Sequence, residues 1–231
     1  MTTQNKTKYF QHNKLAFWFL ILGVAIQLVM ICTYFYDIIT YSIDGMNLWL
    51  DFFRYFTTQS NFLITFFVIA YFINPKWKLF SKNYLLVFVT CYITITGLIY
   101  NCLLLPSGAP SDAIGWFFSV FRHMIVPLYM IGLYVILIVT KKCNELETKT
   151  YKMMTYGMIY PVVYIIYAMV EPFIFWGNSV YGDFTNLNIQ TEGGSYFNFL
   201  YYALTLILFV GFLFVYWFII KKTSFKKVNK K

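Results

Sequence analysis

Two short segments hold residues able to do chemistry within an otherwise apolar chain. The first, RYFTTQSN, sets Thr57, Thr58, Gln59, Ser60 and Asn61 in an unbroken polar run just after Arg54. The second, FRHMIVPLYM, places Arg122 beside His123, with Pro127 four residues further on. A threonine hydroxyl is a weak nucleophile until a base within hydrogen-bond reach takes its proton, and neutral imidazole is the usual base near pH 7. The tetrahedral intermediate of acyl transfer then needs donors aimed at its oxyanion. A threonine of the run and His123 are therefore candidate nucleophile and base. Asn61, Gln59 and Arg122 are the available donors, with Arg54 and Asn101 as further polar lining. Glu171 and Asp51 are candidates to orient the imidazole, by topology only, so no triad is claimed. The same Arg54, Arg122 and His123 could instead bind an anionic headgroup or small acid without any reaction.

The elements that must position these residues are membrane helices. A chain of 231 residues that is 60% hydrophobic and 12% charged is not an ordinary soluble domain. A membrane span needs about 20 predominantly apolar residues. Candidates run from about 15–36, 52–73, 83–105, 116–140, 152–173 and 196–220. They leave no room for a separate soluble domain, so the expected fold is all-α: a single six-helix transmembrane bundle over residues 1–231. Basic tails at 1–14 and 221–231 flank it. The first run lacks a small-residue cleavage site and reads as a retained helix.

All sixteen lysines fall before the first span, between the second and third, between the fourth and fifth, and after the sixth. Asp37, Asp44, Asp51, Asp112, Glu171, Asp183 and Glu192 fill the alternate gaps. Cytoplasmic loops retain Lys and Arg, so both termini are expected in the cytoplasm and the protein in the cell membrane. Sixteen lysines less Glu145 and Glu147 put +14 inside; seven acids against Arg54 and Arg122 put −5 outside, which reproduces the net +9. Anionic headgroups account for the basic balance without nucleic acid, which makes membrane lipids the expected partners. The four scattered cysteines include no CxxC pair, and neither a metal nor a cofactor is expected.

On a regular helix Arg54, Thr57, Thr58, Asn61 and Thr65 share one face, which lipid cannot satisfy and which must turn inward. Interhelical hydrogen bonding alone is a competing explanation, at about 0.6 kcal/mol per contact. Arg122 and His123 fall about two turns below the outer surface, where ionisable groups are functional candidates by default. Arg122 could also snorkel to the headgroups, whereas His123 cannot reach them. Pro127 removes the donor that would bond the carbonyl of His123, so a kink is expected there. Thr90, Thr94, Gly97 and Asn101 form a small, polar face of the third span suited to close packing. Tyr160, Tyr164, Tyr167 and Glu171 share a face of the fifth, readable as a row of hydroxyl donors or as a packing seam. The Gly- and Asn-rich stretch from Glu171 to Ser195 reads as an irregular outer loop.

RYFTTQSN, FRHMIVPLYM and MIYPVVYIIYAMVEPF resemble segments of the bacterial six-helix membrane proteins called Pr-six-Pr. These in turn are similar to the animal androgen-induced-gene membrane proteins, which are intramembrane threonine hydrolases. The likeness extends over nearly the whole chain in topology, through short motifs. It implies hydrolysis of a lipid ester. In the animal family the nucleophilic threonine follows a basic–aromatic–hydrophobic triplet, here Arg54, Tyr55 and Phe56, so the resemblance assigns the nucleophile to Thr57 and the base to His123. The Thr57–Thr58 doublet leaves that assignment open by one residue. No specific acyl substrate is implied.

Overall fold

A chain immersed in hydrocarbon must satisfy its backbone internally, and helices do this within one segment. The computed structural model describes residues 14–43, 53–80, 83–140, 150–174, 180–190 and 192–228, and it is all-α, with no strand among them. The helices are α1 (Lys14–Ile43), α2 (Phe56–Ile73), α3 (Tyr84–Ser107), α4 (Ala113–Val139), α5 (Thr150–Ile174) and α6 (Phe199–Val228). Each is long and apolar enough to cross a membrane. This is the architecture of a multi-pass membrane protein.

The termini of these elements differ from the sequence expectation where local chemistry intervenes. Helix α1 runs seven residues past the expected end at 36, which brings Asp37 into the helix. Helix α2 starts at Phe56 rather than 52, because Tyr55 is extended (φ −81°, ψ 131°). Arg54 therefore does not share the helical face of Thr57, Thr58, Asn61 and Thr65. The Gln59 side chain donates to the carbonyl of Phe53 at 2.6 Å and ties the preceding segment to the first turn. Asp112 caps α4 by accepting from the amide of Gly115 at 3.3 Å. Asp44 and Asp51 lie outside the described residues.

The chain, expected as one bundle, divides into two compact units. The first holds α1 to α4, in which α1 packs on α2, α2 on α3, α3 on α4, and α4 back on α1. The α1–α4 seam is antiparallel. Phe19 stacks on Tyr129, while Thr33 and Asp37 meet Arg122 at the other end. Gly23 permits the approach, since a Cβ there would overlap the Tyr129 ring.

The second unit spans 148–217. Its loop is irregular, as expected, but densely bonded. The Tyr202 hydroxyl lies within hydrogen-bond distance of the carbonyls of Ala168 (2.9 Å) and Thr185 (2.8 Å), between which its one proton is shared. The Asn198 amide bonds the carbonyls of Asp183 and Asn186. Gly193 has φ +73°, and a Cβ there would collide with the Asp183 carboxylate, so only glycine suits this turn. Glu171 is buried in this unit near Tyr202.

Candidate functional site

Three of the candidates in the first unit, Asn101, Arg122 and His123, lie on two irregular helical turns. Tyr100–Leu104 of α3 and Phe121–Ile125 of α4 are both π-helical, each closed by an i→i+5 bond: Leu105 to Tyr100 and Val126 to Phe121. Such turns hold one extra residue and occur often at functional sites. The cause of the second lies in the sequence. Pro127 has no amide hydrogen, so the carbonyl of His123 loses its helical donor. The helix does not simply kink there. It widens by a residue, and the Asn101 side chain donates to the freed His123 carbonyl at 3.1 Å while also bonding the carbonyl of Gly97 at 2.7 Å.

The His123 ring is held by two neighbours. It lies parallel to that of Tyr100, with centroids 3.5 Å apart and planes 6° from each other. The Tyr100 hydroxyl bonds the Ser119 hydroxyl at 2.6 Å. The Ser119 carbonyl lies 3.0 Å from Nδ1 of His123. A carbonyl oxygen can only accept, so Nδ1 carries the proton in this contact and Nε2 presents a lone pair. The group that orients the imidazole is thus a backbone carbonyl one turn earlier on the same helix. Tyr100 and Ser119 were not singled out in the sequence, because one tyrosine among 21 carries no mark of its own.

Arg122 turns the other way. Its NH1 lies 2.6 Å from the Asp37 carboxylate, its NH2 donates to the Thr33 carbonyl at 2.9 Å, and its Nε to the Thr33 hydroxyl at 3.3 Å. The guanidinium also lies over the rings of Tyr34 (4.5 Å) and Phe118 (4.8 Å). It does not snorkel to the surface; it clamps α1 to α4. Asp37, assigned by sequence to an outer loop, is its counter-ion within the helix.

The polar run of α2 divides between these two sides. Thr58, Asn61 and Thr65 are buried towards α1, where Thr65 donates to Gln27 at 2.8 Å and the Tyr34 hydroxyl lies beside Thr58 and Asn61. Ser60 is buried towards α3 and bonds the Thr96 hydroxyl at 3.0 Å. At about 100° per residue, Thr57 projects between these two directions, across the unit towards α4. Helix α2 indeed packs against the π turn that carries Arg122 and His123. The Thr57 side chain is half-buried and makes no hydrogen bond to His123, while its carbonyl accepts from Ser60 (3.0 Å) and Asn61 (2.9 Å).

The donors named from sequence are each engaged: Asn61 by Thr57, Gln59 by Phe53, Arg122 by Asp37 and Thr33, Asn101 by Gly97 and His123. Their geometry positions neighbours rather than presenting an open oxyanion hole. Arg54 precedes the N-cap of α2, and Glu171 belongs to the second unit. No group of three His, Cys, Asp or Glu suited to a metal occurs among the described residues.

Gly97 sets how closely α3 and α4 approach. A Cβ there would lie 2.9 Å from the His123 carbonyl and 3.2 Å from Cβ of Pro127. Gly97→Ala is expected to force the two π turns apart at a cost of about 1–3 kcal/mol, the usual range for overpacking. The check is a lowered melting midpoint in detergent or nanodiscs, with Gly211→Ala as control because nothing lies within 4 Å of a Cβ there.

Comparison with known proteins finds one family model and several mycoplasmal proteins similar to parts of the chain. Residues 116–227 match the family described as "Protein of unknown function (DUF1600)". The chain is 29% identical over 182 residues to an uncharacterized protein of Mycoplasma genitalium, covering 64% of this chain and 67% of that one. A protein of Mycoplasma pneumoniae, likewise uncharacterized, is 29% identical over 144 residues, with 57% of each chain covered. A second Mycoplasma genitalium protein is 27% identical over 143 residues, covering 57% of this chain and 54% of its own length. No solved structure matches.

Proposed function

We propose that the protein is an intramembrane hydrolase that cleaves a lipid ester, with Thr57 as nucleophile and His123 as base. The observation that carries this reading is the state of His123. Its imidazole is held by stacking and by a carbonyl at Nδ1, which leaves Nε2 as a proton acceptor on the turn that Thr57 faces across the unit. The Thr57 oxygen would attack the ester carbonyl as its proton passes to Nε2. The imidazolium would return that proton to the departing alkoxide, leaving a threonyl ester. Water, deprotonated by the same Nε2, would then release the acid and restore Thr57. Apolar acyl chains suit the apolar surroundings, and the resemblance to the six-helix threonine hydrolases supplies the pairing of roles.

Thr57 must close on the imidazole when substrate is present, as catalytic hydrogen bonds often do. Labelling with a fluorophosphonate probe tests the reading: an adduct mapped to Thr57, absent from His123→Ala, supports it, and no adduct on any threonine rejects it. The rival reading is a carrier or receptor for an anionic small molecule. Asp37 already occupies Arg122, so such an anion would have to displace an internal carboxylate. Uptake of organic anions into proteoliposomes without probe labelling would favour that rival.

The proposed setting is the cell membrane, with both termini cytoplasmic. In a background free of native cysteines, a cysteine at Asp112 is expected to react with an impermeant maleimide added outside, and one at Lys78 only after permeabilisation. The reverse pattern would invert the site to the cytoplasmic side.

A further inference from the structure

At the end of α2 far from Thr57, residues 74–80 form a tightly bonded loop that nevertheless holds apolar side chains outward. Asn74 closes α2, its amide donating to the Ala70 carbonyl at 3.0 Å. Its side-chain oxygen accepts from the amide of Lys76 at 3.1 Å, and its carbonyl from that of Trp77 at 3.2 Å. One 3₁₀ turn, Lys78–Phe80, follows, and there the Phe80 amide donates to the Trp77 carbonyl at 2.9 Å. The Phe80 ring is the anchor. It is buried edge-on against Phe67 (5.5 Å) and Tyr71 (5.1 Å) of α2. On its other side it lies parallel to the Trp77 ring, with centroids 6.4 Å apart and planes 2° from each other.

The four residues ahead of that anchor, Lys76, Trp77, Lys78 and Leu79, are all exposed. Trp77 leaves 42% of its surface uncovered and Leu79 49%. A slack loop could fold such side chains away, whereas these bonds keep them out, so their apolar surface is best covered from outside the loop. Position and charge decide by what. As membrane spans, α2 ends at Ile73 and α3 begins at Tyr84, so the loop lies at the edge of the hydrocarbon, the level at which tryptophan rings settle among headgroups. Residues 52–111 include no Asp or Glu, so neither α2 nor α3 offers these lysines a carboxylate. An apolar pair interleaved with cations at this boundary matches an anionic leaflet: acyl chains and glycerol for Trp77 and Leu79, phosphates for the lysines.

We infer that the α2–α3 loop is a docking surface for anionic phospholipid, with Trp77 and Leu79 seated in the interface and Lys76 and Lys78 on the headgroups. Because Phe80 ties the loop to the core of α2, the contact fixes the depth at which α2 and α3 sit in the bilayer. The inference stands apart from the hydrolase reading, because it concerns the opposite end of α2 and holds whether or not Thr57 reacts.

Fluorescence quenching of the full-length protein in phosphatidylcholine bilayers tests it, with part of the lipid replaced by brominated phosphatidylglycerol or by brominated phosphatidylcholine. The chain has six tryptophans, so the Trp77 signal is the emission of the wild type less that of Trp77→Phe. Brominated phosphatidylglycerol is expected to quench that signal at the lower mole fraction, by a factor of about five for each lysine in contact with the anionic surface. Lys76→Gln/Lys78→Gln should bring the two lipids to parity. Equal quenching by both lipids in the wild type overturns the inference. So does quenching by aqueous iodide but by neither lipid, which would assign the loop to water or to an acidic protein partner. Should Trp77→Phe fail to fold, the total emission of the wild type is compared with that of Lys76→Gln/Lys78→Gln, whose changes lie at exposed positions. An unchanged preference for phosphatidylglycerol in that comparison overturns the inference.

Discussion

Arg122→Ala is expected to be the most destabilising single change among the site residues. It removes the counter-ion of Asp37, two donors to Thr33, and the cation resting on the rings of Tyr34 and Phe118. Breaking a buried pair by deleting one partner costs roughly 3–5 kcal/mol, since an uncompensated charge stays behind. With side chains 14% and 15% exposed, this pair belongs near the lower end of that range. The decisive comparison is Arg122→Ala with the Asp37→Asn/Arg122→Ala double variant. If the cost is stranded charge, neutralising Asp37 should recover much of the lost melting midpoint. No recovery would mean that ring packing and the Thr33 bonds, rather than the ion pair, hold α1 to α4. Loss of activity in Arg122→Ala is therefore no evidence for anion binding unless folding is scored alongside it.

Thr57→Ala and His123→Ala are expected to act oppositely, abolishing ester hydrolysis while leaving the fold intact. General acid–base assistance contributes roughly 10²–10⁴-fold, so each variant should fall by at least that factor. The double variant should be scarcely worse than either single one, because the residues form one catalytic unit. Thr58→Ala serves as the neighbouring control. Its side chain is buried beside Tyr34 and directed away from the line across the unit, so hydrolysis should survive with at most a modest loss of stability. Equal losses of hydrolysis in Thr57→Ala and Thr58→Ala would sink the assignment of the nucleophile. Ser119→Ala makes a finer test. It retains the carbonyl that holds Nδ1 and removes only the bond to Tyr100, so its effect on rate should be small.

Much of this arrangement is legible in the sequence for definite reasons. Six apolar runs of spanning length admit little but helices, and a polar stripe in lipid must face protein, which correctly turned Thr58, Asn61 and Thr65 inward. Pro127 identified the carbonyl that would lose its partner. What replaced that partner could not be read, because Asn101 lies on another helix and one extra residue in the turn decides whether it reaches. The Arg122–Asp37 pair was hidden for a related reason. Hydropathy ended the first span at residue 36, and an aspartate one residue beyond that boundary reads as loop charge until its helix is seen to continue. Arg54 erred in the opposite direction, since helical periodicity was extended through Tyr55, where the backbone is extended. The clasp of Tyr100 on His123 carries no sequence mark in a chain that is 23% aromatic.

A π turn is, in register, a single inserted residue that the helix absorbs locally, and this makes α4 tolerant of a length change at one place only. Deleting Met124 would let Phe121–Ile125 close as an ordinary helix, with the segments on either side kept in phase. What would be lost is the widened turn itself and the way it offers the His123 carbonyl to Asn101. A deletion in the regular helix before the turn would instead rotate everything N-terminal to it by about 100° and shift it by about 1.5 Å relative to Pro127. A deletion at Val120 would carry Ser119 from the imidazole and Phe118 from the guanidinium. Among homologous chains, a one-residue difference in the length of α4 is accordingly expected to fall within Phe121–Ile125, and a chain shorter by one there would keep the Arg122–Asp37 clamp while lacking the widened turn.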